Sequence, residues 1–333
     1  MKIFAFSLRE FDEKAFFIRI CEELGIEYGY TSEYPSMNNL ELAAGYDGIT
    51  IITNPMTPKV LDRLHALGVR YIATRSIGYD HIDVRYANSL GMKITNVSYS
   101  PESVANYTIM MMLMACRKMP YIMEKARLQD FGLKGKAGKE LSDCTIGVIG
   151  TGRIGRTLIR HLSGFGCRML AYDIAENEEV KQYAEYTDLD RIYQESDIIT
   201  LHVPGLEANY HMIGDETFAK MKDGVILINA ARGMLVDTDA LIAALESGKV
   251  GFAALDTIEH ESGLYYLNRE GDILDNHDRA ILGAFPNVMV SPHMAFYTER
   301  SVRDMVENAV RGLLACGQDA PNPFEVKKLR ENS

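Results

Sequence analysis

Cysteine pairs, metal-ligand clusters, long apolar runs and an excess of positive charge are all missing from this sequence, and each absence excludes something. The five cysteines (Cys21, Cys116, Cys144, Cys167, Cys316) show neither paired nor metal-ligand spacing. Reduced, mostly buried thiols in a cytoplasmic protein are therefore expected, rather than a disulfide framework or a zinc module. The longest apolar run, Ile109 to Cys116, is far too short to span a bilayer. The first residues, MKIFAFSLREFDEK, turn acidic before the apolar core of a signal peptide could form, so none is expected. A net charge of −11 argues against a nucleic-acid partner and against an anionic membrane surface. There is no internal repeat and no low-complexity segment. What remains is an ordinary globular composition, 47% apolar and 24% charged, in a chain of 333 residues, a length that suggests two domains.

The first hundred residues alternate strand and helix signals. Lys2–Phe6 reads as a strand, Glu10–Leu24 as a helix, Ile26–Thr31 as a strand and Asn38–Ala44 as a helix. Gly48–Ile52 is a buried strand, Thr57–Leu67 a helix with Thr57 as cap and Pro58 at its first position, and Tyr71–Thr74 a further strand. This βαβα alternation predicts a doubly wound domain, yet its first βα turn, Ser7-Leu8-Arg9, has no glycine fingerprint.

That fingerprint lies in mid-chain. Ile146–Ile149 reads as a buried parallel strand, Gly150, Gly152 and Gly155 spell G-x-G-x-x-G, and Ile154, Leu158, Ile159 and Leu162 follow at helical spacing. A second strand, Met169–Tyr172, ends at Asp173. In this context the motif is a strong Rossmann signal. Gly150 permits the tight turn, Gly152 the approach of a pyrophosphate, and Gly155 close packing of helix on strand. Asp173 would accept hydrogen bonds from ribose hydroxyls, and no arginine follows it to meet a 2′-phosphate, so NAD is expected rather than NADP. Further βα units follow: a helix over Tyr186–Ser196, strands at Ile198–Val203, Val225–Asn229, Phe252–Leu255 and Val288–Ser291, and helices near Thr217–Met221 and Thr238–Ser247. The last helix, Glu299–Cys316, is expected to return to the first domain. Glu102–Cys116, with Ser100 as its expected cap, is apolar on nearly all sides, which predicts burial between domains or subunits.

Three residues that can do chemistry each follow a strand's C-terminal end, where α/β folds bind ligands. Arg232 can grip a carboxylate with two parallel hydrogen bonds, or it can make a structural salt bridge with Asp237 or Asp239. Glu261 belongs either to a catalytic pair or to a solvated acidic loop. His293 follows a proline past the last strand. Together they suggest hydride transfer on a 2-hydroxy or 2-oxo acid. Arg232 holds the carboxylate, His293 exchanges a proton with the C2 oxygen, and Glu261 favours the charged imidazole. Arginine and imidazolium supply the positive charge the developing alkoxide needs, so no metal is required.

The sequence resembles the D-2-hydroxyacid dehydrogenases over nearly its whole length, and within them the D-lactate dehydrogenases, including the vancomycin-resistance type. The resemblance is carried by YIATRSIGYDHID, NVSYSPESVANYT, VIGTGRIGRTLI, LHVP, NAARGMLVDTDAL, AALDTIEHE and SPHMAFYTE. It implies an α/β fold of two doubly wound parallel-sheet domains, in which a Rossmann NAD domain (101–297) is inserted in a flavodoxin-like substrate domain (1–100 and 298–333). It assigns Arg232 to the substrate, Glu261 to the acid paired with the histidine, and His293 to general acid/base work. It assigns Arg153, Ile154, Asp173, Val203, Pro204, Asn209, Ala230, Ala231 and Asp256 to the cofactor, with Asp256 beside the nicotinamide carboxamide. Ile77, Gly78, Tyr99 and Phe296 match the substrate pocket. A homodimer through Glu102–Cys116 is implied. Position 106 is Asn where some relatives carry an acid, and the segment Glu261–Leu282 is irregular and aligns poorly.

The aromatic wall of Tyr99 and Phe296 beside the apolar Ile77 favours a small apolar group, so reduction of pyruvate to D-lactate is expected. Longer aliphatic or aromatic 2-oxo acids are the second reading. No second arginine for a dicarboxylate is evident except Arg75, whose position equally permits a structural salt bridge. A reading of another class, an NAD(H)-sensing interaction protein, shares the fold and the site residues.

Overall fold

The computed structural model describes residues 1–261 and 263–326. The chain divides into two compact units, Met1–Ser100 with Tyr297–Ser333, and Pro101–Phe296. Residues 327–333, the end of the expected substrate domain, lie outside the described residues.

The first unit carries β1 (Lys2–Ala5), α1 (Lys14–Glu23), β2 (Glu27–Tyr30), β3 (Gly48–Ile51), α2 (Pro58–Ala66), β4 (Tyr71–Thr74), α3 (Val84–Ser89) and β5 (Lys93–Thr95). Its strands are all parallel, in the order β2-β1-β3-β4-β5. This is the flavodoxin-like order, whose ligand crevice lies beyond the carboxyl ends of the strands. The terminal helix Glu299–Gly317 packs on β3, β4, β5 and α1. Its buried stripe is Val302, Met305, Val306, Ala309, Val310 and Leu313, the spacing of one helix face. The helix expected over 38–44 is a 3-10 turn, Leu40–Ala43. Pro58 opens α2 as expected, while the Thr57 side chain makes no capping bond.

Arg75 is fully buried, as is Glu13. The guanidinium donates Nε to Glu13 Oε1 at 2.9 Å and Nη2 to Ser7 O at 2.8 Å, with Nη1 to Thr50 Oγ1 at 3.2 Å. Of the two roles open to Arg75, the structural ion pair is the one present, and its charge is spent inside the fold. Removing one partner of such a pair typically costs about 3–5 kcal/mol.

The second unit carries α4 (Glu102–Cys116), α5 (Met119–Arg127), β6 (Thr145–Ile149), α6 (Arg153–Leu162), β7 (Arg168–Tyr172), β8 (Glu185–Tyr186), α7 (Leu189–Glu195), β9 (Ile198–Leu201), α8 (Asp215–Lys220), β10 (Val225–Asn229), α9 (Thr238–Glu246), β11 (Val250–Leu255), α10 (His277–Ala284) and β12 (Val288–Val290). Its seven parallel strands run β12-β11-β10-β9-β6-β7-β8, the Rossmann order extended by one strand, with the topological switch between β6 and β9. Alternation along the strands feeds two cores. Ile226 and Ile228 of β10 join the cluster under α4 and α6, whereas Val225 and Leu227 join the cluster under α8 and α9.

Two local expectations change. Tyr186 belongs to β8 rather than to a helix, because Asp188 caps α7 by accepting from Arg191 N at 2.8 Å. The Ser100 backbone N–H, ahead of α4, donates to Asp304 Oδ2 at 3.2 Å. The irregular segment after Glu261 contains α10, capped by Asn276. Among the described residues no helix is long and apolar enough to cross a membrane.

Candidate active site

The fingerprint turn is built around two close approaches. Gly150 has φ +97°, and a Cβ there would lie 2.6 Å from the carbonyl carbon of His202, at the end of β9. A Cβ on Gly155 would collide with the Gly150 carbonyl. Gly152, by contrast, faces open space, and its position as the residue before α6 leaves the first backbone N–H groups of that helix without a side-chain cap. Such a cradle of backbone donors, bare of side chains, fits the pyrophosphate of NAD. Arg153 and Ile154 form the first turn of the helix.

Asp173, just past β7, is oriented by a contact that spacing could not announce. Its Oδ2 accepts from Thr151 N at 2.6 Å and from Thr151 Oγ1 at 3.2 Å. Thr151 Oγ1 is 2.7 Å from the Tyr186 hydroxyl, which accepts from Asn177 N. Thr151 and Tyr186 are thus missing from the residues the sequence picks out; only their nearness to the fingerprint could have suggested them. Past β9, Asn209 Nδ2 donates to Pro204 O at 2.9 Å and folds the loop that begins at Val203. Past β10, Ala231 N donates to Asn229 Oδ1, with Ala230 between them.

Adjacency of three strands explains how the chemical residues come together. β10, β11 and β12 are neighbours, and each ends in a loop bearing one of them: Arg232 after β10, Glu261 after β11, His293 after β12. Neighbouring parallel strands lie about 4.8 Å apart, so the three loops share one edge of the sheet. Glu261 Oε1 is 2.7 Å from His293 Nδ1, and Glu261 Oε2 accepts from Ile258 N at 3.2 Å. Engaging Nδ1 leaves Nε2 as the nitrogen that can exchange a proton with a ligand. Both side chains keep about a quarter of their surface, 26% and 24%, so neither is sealed in the core. Arg232 donates Nη1 to Ala231 O at 2.8 Å, and its carbonyl accepts from Asn229 Nδ2. Asp237, one of the ion-pair partners open to it from sequence, caps α9 and faces His211.

His293 has φ +54°, an uncommon conformation for a residue with a side chain, worth about 1–3 kcal/mol of strain. Asp256 holds it. The His293 N–H donates to the Asp256 carbonyl at 2.9 Å. The fully buried Asp256 carboxylate accepts from Ser291 Oγ at 2.6 Å and from Met294 N and Ala295 N at 2.8 Å each. Asp256 therefore braces the turn that presents the imidazole.

One further residue of the site, Tyr266, lies in the segment that could not be aligned. Its hydroxyl donates to His293 O at 3.0 Å. Its ring centroid lies 6.1 Å from that of His293 and 6.2 Å from that of Phe296, and the latter two are 6.4 Å apart, so three aromatic rings form a triangle. No periodicity marks such a loop, and only its adjacent tyrosines are a signal.

Ile77, Gly78 and Tyr99, expected from sequence to touch the substrate, belong to the first unit. Asn96 Nδ2 donates to Ile77 O at 2.7 Å, and Ser76 Oγ donates to Gly78 O at 2.7 Å, which ties the loop after β4 to the segment after β5, where Tyr99 sits. Asn106, whose role was open, pairs its Oδ1 with His161 Nδ1 at 2.8 Å, linking α4 to α6.

His202, just past β9, lies beside the fingerprint with Nε2 3.0 Å from Thr200 Oγ1; burial pushes its imidazole down to about 4. It stays neutral at physiological pH and adds no charge to the cofactor site.

Residues 109–295 match the profile of the D-isomer specific 2-hydroxyacid dehydrogenase family, NAD binding domain. The chain is 44% identical over 316 residues to the aromatic 2-oxoacid reductase of Clostridium sporogenes, covering 94% of this chain and 95% of that protein. It is 41% identical over 312 residues to the D-lactate dehydrogenase of Lactiplantibacillus plantarum, covering 92% and 93%. The crystal structure of D-lactate dehydrogenase with NAD+ from Lactobacillus jensenii superposes with a TM-score of 0.85 at 35% identity, covering 98% of this chain and 100% of that one.

Proposed function

We infer the reaction from this premise: the chain belongs to the D-isomer specific 2-hydroxyacid dehydrogenase family and is an NAD-dependent oxidoreductase. We propose that it reduces pyruvate to D-lactate. Arg232 holds the substrate carboxylate through paired hydrogen bonds. His293 donates the proton from Nε2 to the C2 oxygen and takes it back in the reverse direction. Glu261 keeps the ring oriented through Nδ1. NADH, when bound, supplies the hydride. Gly150, Gly152, Arg153, Ile154, Gly155, Asp173, Val203, Pro204, Asn209, Ala230, Ala231 and Asp256 form its proposed site, and Ile77, Gly78, Tyr99 and Phe296 the substrate pocket. The observation that carries the reading is the 2.7 Å pairing of Glu261 with His293, on loops after neighbouring strands.

A second reading, preference for longer aliphatic or aromatic 2-oxo acids, has one specific observation in its favour. Tyr266 adds a third ring to His293 and Phe296 and gives a larger side chain a surface to stack on. The similarity to an aromatic 2-oxoacid reductase supports it too. Comparing kcat/KM for pyruvate, 2-oxoisocaproate, phenylpyruvate and 2-oxoglutarate decides between them. Pyruvate is expected to lead. A tenfold advantage for any other acid, about 1.4 kcal/mol of transition-state binding, rejects the lactate reading.

We propose a cytoplasmic homodimer. Met110 and Leu113 of α4 are exposed, at 40% and 37%. They line a hollow with Met114, Met119 and Phe165. The adjoining α5 buries no residue, and Leu128, Phe131 and Leu133 beyond it are exposed. Exposed apolar residues on these neighbouring elements support a protein–protein contact, and a second copy is its proposed occupant.

A further inference from the structure

Two carboxylates in the loop after β11 face in different directions. Glu261 meets His293. Glu259, two residues earlier, meets something else entirely. Its Oε1 lies 2.7 Å from His211 Nε2, and its Oε2 accepts from Thr238 N at 3.0 Å and from Thr238 Oγ1 at 2.8 Å. Thr238 is the first residue of α9, so the carboxylate also sits at the positive end of that helix. The Glu259 side chain is only 11% exposed, and nearly all its hydrogen-bonding capacity is used.

The partners are themselves fixed. His211 N donates to Met234 O at 2.9 Å, and its ring stacks on Tyr210 at 3.8 Å. His211 Nδ1 lies 3.3 Å from Asp237 Oδ2, while Asp237 Oδ1 caps α9 through Ala240 N. Ile213 and Val236 form a parallel bridge beside them. Glu259 therefore fastens the β11 loop to the segment that follows Arg232. A second contact tightens the same seam: a Cβ on Gly233 would collide with the Ile258 carbonyl, so the peptide next to Arg232 lies flat against the 258–259 peptide. Ile258 N in turn donates to Glu261 Oε2.

We propose that Glu259 is a positioning residue, which through His211 and Thr238 holds the β11 loop so that Glu261 is set against His293. The proposal rests on the acid/base reading of Glu261 and His293 given above. Nothing in Glu259 touches the reacting atoms; it acts through Glu261.

A double-mutant cycle tests it on the full-length protein, with kcat for 2-oxo acid reduction and NADH affinity by fluorescence as separate readouts. E259A is expected to lower kcat by roughly ten- to a hundredfold, the cost of a misplaced catalytic group, with NADH affinity unchanged. Because it acts through Glu261, the E259A/E261Q double variant is expected to be no slower than E261Q alone. Multiplicative losses in the double variant overturn the proposal and leave the acid/base reading standing. Wild-type kcat in E261Q removes that reading and the proposal with it. Should E259A fail to fold, His211 gives the same cycle: H211Q, whose amide N–H can replace Nε2–H, restores kcat relative to H211L. Equal kcat in H211Q and H211L contradicts the coupling.

Discussion

Glu261 Oε1 and His293 Nδ1 lie 2.7 Å apart although the residues belong to loops after different strands, 32 positions apart in sequence. This contact assigns the two imidazole nitrogens different work. His293→Ala is expected to lower kcat by roughly 10²–10⁴. NADH affinity should stay close to wild type, because the ring contacts no residue of the fingerprint. Steady-state kinetics with fluorescence titration checks this; an effect confined to KM removes His293 as general acid.

Asp173 is held by the backbone N–H and hydroxyl of Thr151, so its carboxylate is fixed beside the fingerprint turn, as the proposed ribose contact requires. Asp173→Ala is expected to raise the kcat/KM ratio of NADPH to NADH, because it removes a carboxylate that would repel a 2′-phosphate. An unchanged ratio contradicts the ribose contact.

Leu113 and Met110 project from the face of α4 that α6 leaves uncovered. Leu113→Glu is expected to shift the protein from dimer to monomer in sedimentation velocity. A wild-type protein that sediments as a monomer, or a dimer untouched by the substitution, shows that this surface is not the contact.

His202 links the cofactor site to pH-dependent stability. Its folded value of about 4 lies below its ordinary 6.5. Above about pH 6.5 both folded and unfolded states hold a neutral ring, so it contributes nothing. Between 6.5 and 4 the unfolded chain binds the proton first, and stability falls as pH falls, by up to about 1.4 kcal/mol per unit. Urea unfolding at pH 7 and pH 5 is expected to show a smaller loss for His202→Asn than for wild type. Equal losses contradict the assignment.

Much of this was legible because it rests on periodicity or on a spacing with one physical use. The short apolar run within Val225–Asn229, the glycines at 150, 152 and 155, and Asp173 after a second strand each have few structural solutions. What stayed hidden depends on contacts between loops. Arg75 follows a strand's C-terminal end like Arg232, and only the fully buried Glu13 beside it decides that its charge is structural. Ser100 reads in sequence as a residue ahead of a helix, and its bond to Asp304, 204 positions away, is beyond any local pattern. Tyr266 stands in a segment without periodicity, and its place beside His293 follows from a turn with φ +69° that no pattern announces. The same holds for Glu259, which reads in sequence as one acid in an acidic loop and in space as the clasp of two loops.

The central claim is catalysis of hydride and proton transfer to C2 of a 2-oxo acid, and the most direct test follows NADH oxidation by the purified protein with pyruvate and phenylpyruvate, with chiral analysis of the product. Rapid turnover with formation of the D-2-hydroxy acid is the expected result. Formation of the L-acid, or tight NADH binding with no detectable turnover on any 2-oxo acid, contradicts it, and the second of these points to a protein that senses NADH rather than uses it.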